Sequence, residues 1–352
     1  EKYGAESVVF AQGTGRDIAA YITRLAWSFG SPNYTGFLSG QACYLPRIAG
    51  MAATTGAPWI PDCAQQFPER YDHPDYEVPE VMFIWGNYPL NSNLEGFYGH
   101  WVIDLMKRGM KIVTVDPKVT WLATKSDLHL RVRPGTDAAL ALGMINVIIE
   151  EDLYDHEFVD EWCIGFEELK ERAAEYPVDK VAEITWVPEE KIRAAARMYA
   201  TAESASMPWG QKGGDASGIN ASSTIQAKAI LRAITGNLDK KGGDQLAPPS
   251  RFPPAFFEHY ALPQEQRDKM VGNDVFPGLT FKGWDIISQA YPSFYPYSNA
   301  PLMFRQMISG DPYPIKALIV QADNPVVAFS NTKLVVEALK NLDLLVVHDY
   351  FM

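Results

Sequence analysis

Between residues 81 and 137 the chain reads VMFIWGNYPLNSN, then LMKRGMKIVTVDPK, then DLHLRVRPGTDAALALGM, and this run limits the fold more than any other. Two short apolar strands stop abruptly, the first at Gly86-Asn87 and the second at Asp116-Pro117. A third ends at Arg133-Pro134-Gly135-Thr136-Asp137. The stretch between the first two, near 94 to 109 and closing at Gly109, suits a helix. Strand, helix, strand is the rhythm of a βαβ unit, whose right-handed crossover makes the strands parallel. Three polar loops then lie side by side at the carboxyl ends of parallel strands. Open α/β sheets bind nucleotide-like ligands there.

The same grammar recurs along the chain. Residues 6 to 11 predict a short strand, followed by Gly13-Thr14-Gly15-Arg16 and a helix near 16 to 29. A loop-rich stretch runs from about 30 to 80. After Pro134 an apolar helix spans Asp137 to Glu151, with Thr136 as its N-cap. Residues 153 to 203 read as helical throughout, and ASMPWG as a fourth strand stopping at Gly210. A helix near 219 to 235 ends on a Thr235-Gly236-Asn237 C-cap. From 244 to 310 the text is irregular, rich in Pro, Phe and Tyr, and predicts an excursion over the surface. IKALIVQADNP and LDLLVVHDYFM then repeat the strand-and-polar-loop pattern around a helix. The chain opens on Glu1 without an apolar signal region and stops at Met352 after a buried-looking strand. That predicts a piece of a longer subunit, or one whose leader has been removed.

Composition excludes some function classes. With 352 residues there is room for roughly two domains. A net charge of −12 argues against nucleic acid and against an anionic membrane surface. No apolar run reaches the ~18 residues that a membrane-spanning helix needs. Cys43, Cys63 and Cys163 form no CxxC pair, so this chain alone is not expected to hold zinc or an iron–sulfur cluster.

Each loop has a bland alternative. Gly86 lets a backbone approach a bulky ligand and Asn87 offers a donor and an acceptor, but GNYP could be only a tight turn. It is not a GxGxxG, which weighs against a nicotinamide cofactor. Asp116 stands where a carboxylate accepts two hydrogen bonds from a ribose diol or a guanine edge, yet Asp-Pro is also a common turn pair. RPGTD could be no more than a helix start. All three in order, at βαβ spacing, carry far more weight than any one.

In that order the loops resemble those of the molybdopterin oxidoreductases, the dimethyl sulfoxide reductase superfamily. Members show a strand then G-x-N-P, a strand then D-P-R, and R-P-G-T-D-x-A-L ahead of a helix. Here these stand as Gly86 to Pro89, Asp116 to Lys118 and Arg133 to Leu140. Tyr88 is inserted before the proline, and Lys118 replaces arginine, keeping the charge without the bidentate fork. TGNLDKKGG, YPIKALIVQADNP and LDLLVVHDYFM extend the resemblance over nearly the whole chain.

The resemblance implies an α/β protein with two doubly wound, Rossmann-like lobes of mainly parallel strands. One lobe would be continuous (41–243) and the other split (1–40 and 311–352), with 244–310 an excursion. It implies molybdenum or tungsten held by two molybdopterin guanine dinucleotides. Gly86, Asn87, Asp116, Lys118, Gly135 and Asp137 would serve one. Trp209, Gly210, Gln211, Asn324, Pro325 and Asp349 would lie along the other. Cys43, in SGQACYLPRIAG, falls at the position of the metal ligand, and a thiolate suits that metal. An isolated cysteine is otherwise more often just buried. Arg47 could stabilise an oxyanion, or pair with a surface carboxylate. Tyr44, where formate dehydrogenases have histidine after the ligand, disfavours formate oxidation. The Cys-Tyr context is closer to acetylene hydratase, transhydroxylase and dehydroxylase-like branches.

A [4Fe-4S] segment ahead of Cys43, a closing C-terminal domain and an iron–sulfur electron-transfer subunit are further implications, all outside these residues. The compartment stays open. The rival readings are a cofactor-free scaffold piece, a nicotinamide-dependent dehydrogenase and a binding module without chemistry.

Overall fold

The computed structural model describes residues 2–13, 19–35, 45–57, 59–62, 64, 67–92, 97–208, 218, 220–246, 262–277, 280–283 and 296–350. Among them are ten strands. They are β1 Val8–Gln12, β2 Tyr34–Thr35, β3 Trp59–Pro61, β4 Val81–Trp85, β5 Lys111–Val115, β6 Leu128–Leu130, β7 Ala205–Ser206, β8 Asp244–Leu246, β9 Ala317–Gln321 and β10 Leu344–His348. The chain is mixed α/β with mainly parallel sheets and divides into two compact units, Glu1–Gln41 with Pro249–Met352, and Ala42–Pro248. They are called unit 1 and unit 2 below.

In unit 2, VMFIW is apolar at every position because both faces of its strand are covered. Val81, Phe83 and Trp85 point into one core with Leu140, Met144, Ile145 and Ile148 of the helix Asp137–Glu150. Met82 and Ile84 point into another with Trp101, Val102 and Leu105 of the helix Phe97–Lys107. The sheet order is β6-β5-β4-β7, all parallel, with Trp85 opposite Val115 and Val81 opposite both Lys111 and Ala205. Two strands, β3 and β8, pair antiparallel beside it.

The stretch 153–203 is not one helical run. Four helices occupy it: His156–Trp162, Phe166–Ala174, Val178–Thr185 and Glu189–Ala200. Gly165 stands at the second N-cap, and Pro177 and Pro188 at the last two, where residues that cannot continue a preceding helix can start a new one. Thr136 occupies an N-cap position, but its hydroxyl donates back to the Arg133 carbonyl at 2.7 Å instead of capping.

Unit 1 carries the sheet β10-β9-β1-β2, also all parallel. The expectation of an irregular excursion over 244–310 fails at β8 and again at Ala300–Ser309. That helix has the Asn299 side chain accepting from Leu302 N at 3.1 Å, a proline in its first turn and Gly310 at φ 73° as C-cap. The Pro- and aromatic-rich surroundings hide these end signals. Buried Asn33 pins the neighbouring segments: it donates to the Glu6 carbonyl at 2.8 Å and to Tyr313 Oη at 2.7 Å, and accepts from Val271 N and Ser298 Oγ, each at 3.0 Å. Burial pushes the Tyr313 phenol up to about 12, so it stays a neutral donor. Strand β10 also departs from expectation. It is exposed at all five positions, because among the described residues only β9 flanks it. No described helix is long and apolar enough to cross a membrane.

Candidate functional site

In unit 2 the strand order reverses between β4 and β7. From β4 the chain steps to β5 and β6 on one side and returns to β7 on the other. Loops leaving two such strands diverge, and the gap between them is where open sheets take ligands. Gly86-Asn87 leaves β4 at this gap. Asp116 and Lys118 follow β5, and Gly135 and Asp137 follow β6, so the structure gathers six of the predicted residues along one sheet edge. Trp209, Gly210 and Gln211 follow β7 in sequence and lie outside the described residues, as does Cys43.

The edge is built stiff. Lys118 N donates to Asp116 Oδ1 at 2.7 Å, while His129 Nε2 reaches the Asp116 carbonyl at 2.9 Å and Arg131 Nε the Pro117 carbonyl at 3.1 Å. Asp116 keeps its other carboxylate oxygen at a half-exposed position. Gly86 and Gly135 sit at φ 67° and 85°, a region that costs other residues about 1 kcal/mol or more. No atom lies within 4 Å of where a Gly135 side chain would begin. Asp137 differs from its neighbours. It is buried, and its Oδ1 accepts the Trp85 indole N–H at 2.8 Å, so it holds the floor of the crevice.

Beneath that floor is a charged knot that sequence reasoning missed. Asp244 Oδ2 accepts from Arg232 Nε at 2.5 Å, both side chains being fully buried. Asp244 also accepts from Ser206 Oγ at 2.7 Å and Met207 N at 3.0 Å, and Arg232 donates to the Met207 carbonyl as well. Lys228, one turn earlier on the helix Ala221–Ile234, lies over the Trp85 ring at 5.2 Å, and Arg232 over Trp59 at 3.9 Å. Asn237 Oδ1 accepts from Ala205 N at 2.9 Å. The TGN turn and this knot therefore pin β7 beside β4 and set the gap. The only sequence signal was a pair of cations four apart on an apolar helix, easily taken for a solvated face.

Arg47 is fully buried on the helix Leu45–Thr55, which removes the reading of a surface cation. Asp244 already pairs with buried Arg232, so besides exposed Lys118 the loops offer an anionic ligand their backbone N–H groups. A guanine dinucleotide fits such an edge: glycines at positive φ leave the backbone bare, and a half-exposed carboxylate can accept from guanine N–H donors.

In unit 1 the reversal falls between β1 and β9. Gly13 ends β1 with its N–H on the Gln321 carbonyl at 3.0 Å, and a side chain there would run into the Ala322 carbonyl oxygen. Ala322 itself is held at φ 53°, with its N–H on the His348 carbonyl at 3.0 Å. Exposed Asn324, buried Pro325 and exposed Asp349 all follow at the carboxyl ends of β9 and β10. Gly13 is the residue missed here, although its place directly after a strand was a legible sign.

A family model described as molybdopterin oxidoreductase matches residues 75–352. The acetylene hydratase of Syntrophotalea acetylenica is 36% identical over 370 aligned positions, which take in 100% of this chain and 48% of that protein. The F420-dependent formate dehydrogenase subunit alpha of Methanocaldococcus jannaschii is 34% identical over 79% of this chain and 40% of its own. Among solved structures, the acetylene hydratase from Pelobacter acetylenicus matches with a TM-score of 0.83 at 34% identity, over 99% of this chain and 47% of that one. This chain spans less than half the length of each of these relatives.

Proposed function

The chain belongs to the molybdopterin oxidoreductase family of enzymes, and on that premise we propose that it is the central part of a catalytic subunit carrying molybdenum or tungsten on two molybdopterin guanine dinucleotides. The observation that carries this reading is the gathering of the predicted residues at the strand-order reversal of each sheet. Gly86, Asn87, Asp116, Lys118 and Gly135 would hold one dinucleotide in unit 2. Asn324, Pro325 and Asp349 in unit 1, with Trp209, Gly210 and Gln211, would lie along the other.

The bound group would supply a metal able to exchange oxygen or electrons with a small substrate. The chain's own residues would do the rest. Cys43 would offer a thiolate to the metal. Asp116 accepts from the nucleotide's N–H donors. Asp137 keeps the Trp85 indole fixed and water away from the floor. Arg47, buried two residues into its helix, would offset negative charge on a substrate. Likeness to acetylene hydratase, together with Tyr44 after Cys43, supports hydration or hydroxyl-transfer chemistry over formate oxidation. A formate dehydrogenase relative named as a subunit supports a further protein subunit as partner. By itself this piece would be inactive.

Cys43→Ala in the full-length protein tests the assignment. Turnover should fall roughly a thousandfold or more while pterin remains bound. A wild-type rate in that variant removes Cys43 from the mechanism.

A further inference from the structure

Away from the sheet edge, unit 2 carries a cavity of about 650 Å³ that the proposed chemistry does not use. Its walls come from the helices His156–Trp162 and Phe166–Ala174, from the helix Ala221–Ile234 and from β8. Phe158, Trp162, Cys163, Ile164, Ile230 and Leu246 are among the residues that line it. The lining is largely apolar, and it does not stop at the mouth. Trp162 is 70% exposed and Ile164 fully exposed, so two large apolar side chains of the lining face water. Single exposed apolar residues need no explanation, but two on the lip of an apolar cavity make one continuous patch.

The segment that carries Trp162 and Ile164 is charged with one sign. From Asp155 to Glu168 there are six carboxylates and no lysine or arginine. Asp155 is used as a helix cap and Glu167 pairs with Lys170 at 2.8 Å. Glu157, Asp160, Glu161 and Glu168 are exposed and form no ion pair among the described residues. A lipid surface is a poor match, because anionic headgroups would be repelled by this rim. A compact small molecule would fill the cavity but leave Trp162 and Ile164 uncovered.

We infer that this cavity and its acidic rim form a docking site for a partner polypeptide, an amphipathic helix with bulky apolar anchors flanked by lysine or arginine. The anchors fill the cavity at i, i+3 or i+4 and i+7 spacing, Trp162 and Ile164 pack against the helix flank, and the rim carboxylates steer and orient the basic ends. The surface needs no cofactor, so it stands or falls apart from the metal reading.

The test uses the full-length protein and a fluorescein-labelled helical peptide with leucines at that spacing and lysine flanks. Fluorescence anisotropy should show saturable binding that weakens as NaCl rises from about 0.05 to about 0.5 M. Replacing the lysines with glutamates should weaken binding roughly tenfold or more, and so should Trp162→Ala, while Tyr21→Ala on unit 1 changes nothing. A footprint supplies the second readout. Burial, and then the Asp155 carboxylate, push the Cys163 thiol up, so maleimide labelling is run above neutral pH and located by peptide mapping. Bound peptide should slow labelling of Cys163. Three results overturn the inference: no binding, equal binding of the glutamate-flanked peptide, or unchanged affinity in a folded Trp162→Ala variant. Cys163 closed to label without any peptide overturns it as well, because the protein's own chain would then cover the cavity.

Discussion

The two sheets solve the same problem with different degrees of support. In unit 2, β4 is buried at every position and its loops are braced by side chains: Trp85 on Asp137, His129 and Arg131 on the Asp116-Pro117 backbone, and the Arg232–Asp244 pair behind β7. In unit 1, β10 is exposed along its length, and its neighbouring turns are joined by backbone bonds with Ala322 at positive φ. Both edges present polar loops at a reversal of strand order. What differs is how much side-chain packing holds the loops in place.

Core truncation should separate the two most sharply. Phe83→Ala in β4 is expected to cost about 3–5 kcal/mol, since the ring is fully buried and packs edge-on to Tyr199 at 5.0 Å. Val346→Ala in β10, 39% exposed, should cost less than about 1 kcal/mol. Chemical denaturation of this chain measures both, and equal costs would erase the contrast. Next in size is the brace itself. Asp137→Leu leaves the buried Trp85 N–H without its acceptor and should cost about 1–3 kcal/mol, whereas Asp137→Asn, which keeps an oxygen there, should cost much less.

Relief of strain sharpens the comparison from the other side. Ala322→Gly removes a side chain from positive φ and should stabilise unit 1 by about 1 kcal/mol, with slower exchange of its own amide, which donates to the His348 carbonyl. No gain would mean that the turn is not strained.

The smallest effect is acid sensitivity. Hydrogen bonds from Glu203 N and then Lys111 hold the Glu80 carboxyl below its usual range, and hydrogen bonding from Arg197 does the same for Glu151, in each case against a smaller opposing effect of burial. A depressed folded pKa means stability that is present above the unfolded carboxylate value and lost as pH falls through the folded one. Glu80 is exposed and Glu151 partly so, and solvent screening keeps the effect small. Unit 2 should lose a fraction of a kcal/mol below about pH 4.5. Glu80→Gln should flatten that part of the pH curve, and an unchanged curve would remove Glu80 from it.

How far the sequence was readable follows the same divide. VMFIW announced itself because a strand covered on both faces is apolar throughout, and KIVTV is apolar but for Lys111 and Thr114. LLVVH carries the same text and is exposed, since composition cannot tell an inner strand from an edge one. The helix Ala300–Ser309 had its N-cap, proline and glycine in place but stood among prolines and aromatics that suggested none. Gly86, Asp116 and Gly135 were legible as strand-end residues because turn chemistry is local. Lys228, Arg232 and Asp244 were not, because their meaning depends on Trp85 and Met207, which only the fold brings to them.

The proposed role of these edges is to hold a metal carried on pterin dinucleotides. The direct measurement is molybdenum, tungsten and pterin content of the full-length protein, expressed anaerobically in a host that makes the cofactor. Molybdenum or tungsten together with pterin, bound stoichiometrically, is the expected result. Protein that is folded and holds neither would contradict it.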